Sequence, residues 1–557
     1  MHIVTMVLVL LLAVVVSAFA TRLLPVKIPA PLLQIPLGAL LAGAFGVSIT
    51  FDPHLFLLLF IPPLLFLDGW RIPKGAFFRE WRPILTLATG LVVFTVVGLG
   101  WFVHWLIPTL PLAVAFALAA IVSPTDPVAV SAMTATAPLP SRLMHILEGE
   151  SLLNDATGLV CFSFAVTAAL TGSFSLPAAS LSFVMVAGGG VLTGLAVVWA
   201  IARFNRLLVR RAGEDPAIQV LISLLIPFAA YLSAEHLGVS GILAAAVAGI
   251  GMHYGELLGR APASTRMQRN VVWDTVQTAL NGSIFVLLGA QLPSMLRRLP
   301  EVARAAGVGT AWHLLGYALL ITLVLVVLRF VWVWLSMRIT VFGAGRQRGD
   351  LADSAAIPAM PRMRVVAVTA TAGVRGAITL AGILTLPLAL ADGTPFPGRE
   401  LAIFLAMGVI LLSLLVASVA LPALARGLDA DLPPAKRARP DHHARNAAAE
   451  AAVRRIEALL AQPLADPHEQ AVRADAAMRV LEAYRHRLDY GEASAEHATE
   501  LRRQAEAERM LRLEGLQAER DALFRLRLSR SIGDTAHQEL LREIDLRELP
   551  LAGQSPR

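Results

Sequence analysis

Long apolar runs alternate with short polar breaks over the first three quarters of the chain. A helix needs about 20 apolar residues to cross the ~30 Å hydrocarbon layer of a bilayer. Runs that fit lie near 3–21, 29–48, 54–70, 84–107, 111–133, 148–170, 177–202, 217–234, 239–256, 271–292, 311–336, 365–390 and 400–425. They are numbered here as spans 1 to 13. Span 3 is short and carries Pro62 and Pro63. The pattern predicts an all-α polytopic membrane protein with about thirteen transmembrane helices. Met1 to Ala20 resembles a signal peptide, because Val-Ser-Ala-Phe-Ala looks like a cleavage site. It lacks a positive n-region and another span follows at once, so it reads as a retained first helix.

The charges between the spans orient them. Alternate loops, beginning with the one after span 1, carry nineteen Lys and Arg residues, and the opposite loops carry four: Arg297, Arg298, Arg304 and Arg399. The positive-inside rule places the rich loops in the cytoplasm. The N-terminus is then outside and the C-terminus inside, as an odd number of spans requires. The loop 293–310, with three arginines, dissents, and a surface or re-entrant helix is a candidate there.

Past Leu428 the character changes. Of 40 acidic residues, 17 lie before position 428 and 23 after it, so the last stretch is soluble in character. The reading is a transmembrane domain over 1–427 and a small helical cytoplasmic tail over 428–557. In the tail, Leu501, Met510, Leu513, Leu516, Leu523 and Leu526 can share one helical stripe, as in a hairpin.

Composition agrees with a membrane protein. The chain is 56% hydrophobic and 16% charged, against about 25% charged in ordinary soluble proteins. The net charge of +7 sits in short loops or alternates with acids in the tail, so no basic face for nucleic acid emerges. The single cysteine, Cys161, lies in an apolar run, cannot form an intrachain disulfide and reads as a core residue. Arginine far outnumbers lysine, a bias of GC-rich bacterial genomes.

Few charges lie deep in spans: Asp126, Glu150, Asp155, Arg329 and Arg375. Asp68 and Asp274 lie near span ends, within reach of water. A carboxylate at bilayer depth costs at least ~2.5 kcal/mol, so such groups face a partner, a cavity or an ion. Asp126 stands between Pro124 and Pro127 in Ser-Pro-Thr-Asp-Pro. Each proline removes a donor and breaks the helix, which is tolerated only where the freed backbone lines a cavity. A second break is expected in span 12, within Thr369–Thr379, where Gly373 and Gly376 flank Val374 and Arg375. Spans 5 and 12 are seven apart. Two broken helices in corresponding positions of two halves point to inverted repeats around a midplane site. Asp126 is placed to neutralise the positive N-terminal ends of the half-helices.

Glu150, Ser151, Asn154 and Asp155 follow at i, i+1, i+4 and i+5, so Ser151 and Asp155 share one face. Hard oxygens suit a hard cation. Asp155 and Ser151, with oxygens from the break near Thr125, make a small site for Na⁺. A carboxylate there binds either a proton or the cation, and that competition alone suffices for antiport. Glu150 needs a different role, and Arg375 is its expected counter-ion. Arg329 has no obvious partner in the sequence.

At these residues the chain resembles the monovalent cation:proton antiporter-1 family, the sodium/proton exchangers. The matching stretches are Ser-Pro-Thr-Asp-Pro (123–127), Glu-Gly-Glu-Ser-Leu-Leu-Asn-Asp (148–155) and Gly-Val-Arg-Gly-Ala (373–377), within a resemblance over roughly 5–425. It implies a homodimer of thirteen-helix inverted-repeat protomers, with two discontinuous crossing helices and a core domain that moves against a dimer domain. It implies cation and proton binding at Asp155, Ser151, Thr125, Asn154 and Asp126, with Na⁺ held by Asp155, Ser151 and Thr125, and a structural pair of Glu150 with Arg375. Asn rather than Asp at 154 resembles the electroneutral branch.

The expected function is exchange of Na⁺ or Li⁺ for H⁺, electroneutral at 1:1, across the bacterial inner membrane in pH and sodium homeostasis. The expected partners are monovalent cations, protons, the bilayer and a second copy of the chain, with no cofactor and no nucleic acid. K⁺/H⁺ exchange on the same scaffold is the alternative, because oxygen number and cavity size decide between the ions. An intramembrane aspartyl protease also needs two aspartates on neighbouring spans, but its Gly-x-Gly-Asp context is absent, since Asp155 follows Leu-Leu-Asn.

Overall fold

The computed structural model describes residues 2–24, 28–44, 53–134, 139–172, 176–258, 262–305, 307, 311–344, 362–390, 393–426, 435–462, 467–492, 495–529, 537, 540–541 and 543–548. Contacts divide the chain into two units, Met1–Leu432 and Pro433–Arg557.

The first unit is helical at all thirteen expected positions. Eight described helices are long and apolar enough to cross a membrane. The others are short or broken: Ala30–Ala44 (span 2), Pro53–Arg71 (span 3), Gly241–Leu258 (span 9) and the split spans 5 and 12. Several helices outrun their apolar cores. Span 7, Leu176–Ala212, carries Arg203, Arg206, Arg210 and Arg211 on helix, and span 10 runs from Ala263 to Ala305 through Pro293 and Pro300. This corrects the reading of 293–310 as a loop with a separate surface helix. Up to Ala305 these residues continue span 10. Arg298 is exposed and pairs with Glu400 at 3.5 Å, so its charge stays at the rim.

Span 4 holds a feature the apolar pattern did not show. Its helix passes through a π-helical stretch, Thr86–Leu91, before continuing as Val92–Leu106. A π turn releases a carbonyl from the ordinary ladder. Here Trp332 Nε1 of span 11 donates to Thr86 O at 3.1 Å. Gly90 makes room for the ring, since a Cβ there would lie 2.5 Å from Trp332.

Spans 1–3 and 7–10 pack densely with one another, as do spans 4–6 and 11–13, while contacts between the two bundles are sparse. In the first bundle spans 2 and 10 touch through backbone. Cβ atoms at Gly38 and Gly289 would fall on Val286 O and Ile35 O, at 2.0 and 1.9 Å. Spans 3 and 9 repeat the arrangement, with Gly69 against Ala246 O and Gly249 against Phe66 O at 2.1 and 2.0 Å. Exchanging each span for the one seven away converts the 2–10 contact into the 9–3 contact. Spans seven apart run in opposite directions through the membrane, so the repeats are inverted.

The second unit holds the helices Ala435–Leu460, Pro467–Glu492 and Ala495–Leu528. Arg520 on the third of these pairs with Asp545 and Glu548, folding the following segment back on it.

Candidate cation site

The two broken helices cross within the second bundle, on the side that faces the first. Span 5 is Leu112–Ile121 followed by Pro127–Met133, and span 12 is Arg362–Thr371 followed by Ala377–Leu384. The helices stop for residues 124–126 and 373–376, where the prolines and glycines stand. The breaks bond to each other: Asp126 N donates to Val374 O at 2.8 Å.

Each break leaves two half-helix ends of opposite sign, and one charged side chain serves each sign. Asp126 Oδ1 accepts from Val128 N at 2.9 Å and Ala129 N at 3.3 Å, capping the second half of span 5. Its Oδ2 lies against Gly376, the N-cap of the second half of span 12; a Cβ there would approach it to 2.1 Å. Arg375 sits at the opposite ends. Its Nε donates to Val122 O at 2.8 Å and its Nη1 to Gly373 O, while its backbone N–H donates to Ser413 Oγ at 3.1 Å.

This arrangement corrects the expected Glu150–Arg375 pair. The partner of Glu150 is Arg329 of span 11, whose Nη1 and Nη2 donate to its two carboxylate oxygens at 2.5 and 2.7 Å. Arg329 Nε donates to Thr369 O at 2.8 Å. Glu150 and Arg329 are 1% and 2% exposed. The reason is backbone direction. At the break the chain carries Arg375 across to the end of the first half of span 5, and Arg329 approaches Glu150 along span 11. Gly373 lets both pass, as a Cβ there would lie 2.8 Å from Arg375 Nη1 and 2.9 Å from Arg329 Cδ.

Beside the crossing is a cavity of about 40 Å³, lined by Thr125, Asp126, Ser151 and Asp155 together with Asp68, Asn281 and Thr379. A water-sized body needs at least ~10–15 Å³ measured this way, so the space takes about three. Four of the residues expected at the site therefore come together. Asn154 does not line the cavity. It stands behind Thr125, donating from Nδ2 to Thr125 Oγ1 at 3.0 Å, and its buried Oδ1 has no partner among the described residues. Ser151 Oγ donates to Thr125 O at 2.8 Å, and Thr125 Oγ1 lies 3.5 Å from Glu150 Oε1. Serine, threonine and asparagine thus brace span 5 against span 6. The Asp155 carboxylate has no hydrogen-bond partner among the described residues, although the residue is only 4% exposed. It faces the cavity.

Sequence reasoning missed three lining residues. By the apolar pattern Asp68 is an end residue, yet it lines the cavity together with Asp126 and Asp155. Asn281 is a lone carboxamide in an apolar run, and that oddity was the available signal. Thr379 lies inside the expected break and passes for an ordinary helix threonine. For Arg329 the signal was arithmetic: a second arginine deep in a span needs an acid.

Two crossed half-helix pairs, an unpaired buried carboxylate and a small cavity between two bundles, with carboxylates and hydroxyls set among apolar walls, define a multi-pass membrane transporter. The chain belongs to the sodium/hydrogen exchanger family, whose transmembrane region matches residues 7–427. It is 40% identical over 548 residues to the uncharacterized Na(+)/H(+) exchanger YjcE of Escherichia coli (strain K12), covering 97% of each chain. It is 43% identical over 439 residues to the sodium, potassium, lithium and rubidium/H(+) antiporter of Bacillus pumilus (strain SAFR-032). That alignment takes in 77% of this chain and 62% of the Bacillus protein. The solved structure of the sodium proton antiporter MjNhaP1 from Methanocaldococcus jannaschii at pH 8 shares the fold. Its TM-score is 0.57 at 20% identity, over 77% of this chain and 99% of that one. Membership of this family makes the chain a transporter and not an enzyme.

Proposed function

We propose that this protein exchanges monovalent cations for protons at Asp155, with Na⁺ and Li⁺ as substrates and K⁺ and Rb⁺ sharing the site. The observation that carries the reading is the Asp155 carboxylate itself. It is buried, has no protein partner among the described residues, and faces a cavity in whose partly apolar wall the polar groups of Asp68, Thr125, Asp126, Ser151, Asn281 and Thr379 are also set. An isolated carboxylate in such a place neutralises by taking a proton or by taking a cation. When one occupant excludes the other, each trip across the membrane carries one of them, and the two gradients are coupled.

The walls divide the work. Thr125 and Ser151 stand on the same side as Asp155 and hold the broken segment of span 5 against it. Asp126 and Arg375 fix the charge of the helix ends, and Glu150 with Arg329 locks span 6 to spans 11 and 12. None of these pairs needs to change charge during transport. With Asp155 the one carboxylate that exchanges its occupant, Asp68 and Asp126 keeping their protonation through the cycle and Asn154 uncharged, one proton moves per cation, so exchange is electroneutral. The Bacillus relative's name, with four alkali cations, favours broad selectivity. The loop charges place the N-terminus outside and the tail in the cytoplasm of a bacterial inner membrane. The resemblance adds a homodimer, and cation and pH homeostasis as the physiological task.

The test is antiport in everted vesicles with Na⁺, Li⁺, K⁺ and Rb⁺ in turn. Asp155→Asn should abolish exchange of every cation while the protein still inserts. Cation-driven proton flux near wild-type rates in that variant would sink the assignment.

A further inference from the structure

Two uncharged polar side chains on the cavity wall, Thr379 and Asn281, have no task in the scheme above. Threonines in this fold usually return their hydroxyl to a carbonyl three or four residues back. Thr369, Thr371 and Thr385, all in or beside span 12, do so at 2.8, 2.9 and 2.6 Å. Thr379 does not. It lies in the first turn after the break, where residue 375 is still extended and its carbonyl is out of helical position. Thr379 is 1% exposed, lines the cavity, and its hydroxyl has no partner among the described residues. Asn281 of span 10 is half-buried and also unpartnered among the described residues. The carboxamides of Gln34, Asn154, Asn205, Gln219 and Gln277 each bond a neighbouring side chain. That of Asn281 has no partner among the described residues and lines the cavity from the other bundle. A buried hydroxyl such as that of Thr379, left without a partner, is costly unless something else fills its valence, and the Asn281 carboxamide faces the same cavity.

We propose that Thr379 and Asn281 supply the neutral oxygens of the cation's coordination shell and so set which alkali cation the site prefers. The inference rests on the reading of Asp155 as the exchanging carboxylate. A carboxylate distinguishes a cation from a proton, but it meets every alkali cation with the same charge. These ions differ in radius and hydration, so discrimination falls to the number and spacing of uncharged oxygens around them. The smallest ions hold their water most strongly, and they depend most on protein oxygens to replace it. Thr379 rides on the bundle of Asp155 and Asn281 on the opposite one, so the packing of the two bundles fixes their spacing.

The experiment measures KM for Na⁺, Li⁺, K⁺ and Rb⁺ under one imposed pH gradient, with the full chain in proteoliposomes. Thr379→Val removes the hydroxyl at constant shape, and Asn281→Leu removes the carboxamide. Each should raise KM for Na⁺ and Li⁺ at least ~5-fold more than KM for K⁺ and Rb⁺, the factor given by one polar contact of ordinary strength. Thr379→Ser, which keeps the hydroxyl, should restore the wild-type order. If a variant fails to fold, Thr379→Ala and Asn281→Ala carry the same comparison. Ratios within twofold of wild type in all active variants would overturn the inference. Failure of the Asp155 reading shows separately, as transport surviving in Asp155→Asn.

Discussion

The Glu150–Arg329 pair gives the sharpest test of how the site is held. Arg329→Ala removes two hydrogen bonds to Glu150, at 2.5 and 2.7 Å, and one to Thr369 O at 2.8 Å. It leaves Glu150, 1% exposed, as an uncompensated charge. Breaking a buried pair from one side costs about 3–5 kcal/mol, and the free Thr369 carbonyl adds ~1 kcal/mol or more. Glu150→Ala strands Arg329 in the same way, although Arg329 keeps its bond to Thr369. Removing both charges costs less than removing one, since neither is then stranded. The assay is thermal unfolding of the detergent-solubilised protein, followed through intrinsic tryptophan fluorescence and by size exclusion, for both singles and the double variant. The double variant should recover at least ~2 kcal/mol relative to the sum of the singles, within the range seen for directly coupled groups. A double variant no more stable than the worse single would refute the pairing.

Arg375→Ala should destabilise less than Arg329→Ala, because it strands carbonyl oxygens and no carboxylate; the reverse order in the same assay would contradict the assignment. Gly376→Ala should cost ~1–3 kcal/mol as overpacking and depress transport, since its Cβ would fall 2.1 Å from Asp126 Oδ2; full activity in vesicles would show that Asp126 need not stay there. Exchange should be insensitive to membrane potential when proteoliposomes are clamped with K⁺ and valinomycin, and rates that rise steeply with voltage would mean a second moving charge. Asn154→Asp should be poorly active and not cleanly electrogenic, because it places a carboxylate against Thr125, one residue from Asp155, with no base to balance it.

The spans and both breaks were legible because lipid imposes a severe rule: apolar runs of one length, interrupted only where backbone is sheltered. Pro124, Pro127, Gly373 and Gly376 announce the breaks, and Asp126 and Asp155 announce the cavity. What stayed hidden depends on neighbours distant in sequence. Nothing near Glu150 says that its partner is 179 residues away and not at Arg375. The π turn at Thr86–Leu91 exists for Trp332, and the roles of Asn281 and Thr379 appear only when two bundles face each other. The arginines of 297–304 misled because the apolar run ends before the helix does.

The bond from Asp126 N to Val374 O has a consequence for how the molecule is made. Its two ends are about 250 residues apart, so at 5–20 residues per second span 5 leaves the ribosome roughly 10–50 s before span 12. During that interval Asp126 has its own half-helix but lacks the strand of backbone that receives its N–H, and Val122 lacks the arginine that covers its carbonyl. The first six spans are therefore born with an open wound at mid-membrane. Chains truncated before span 12 should be held by insertion factors and degraded, and a crosslinker placed at position 126 should report the nascent partners that shelter it until the second half arrives.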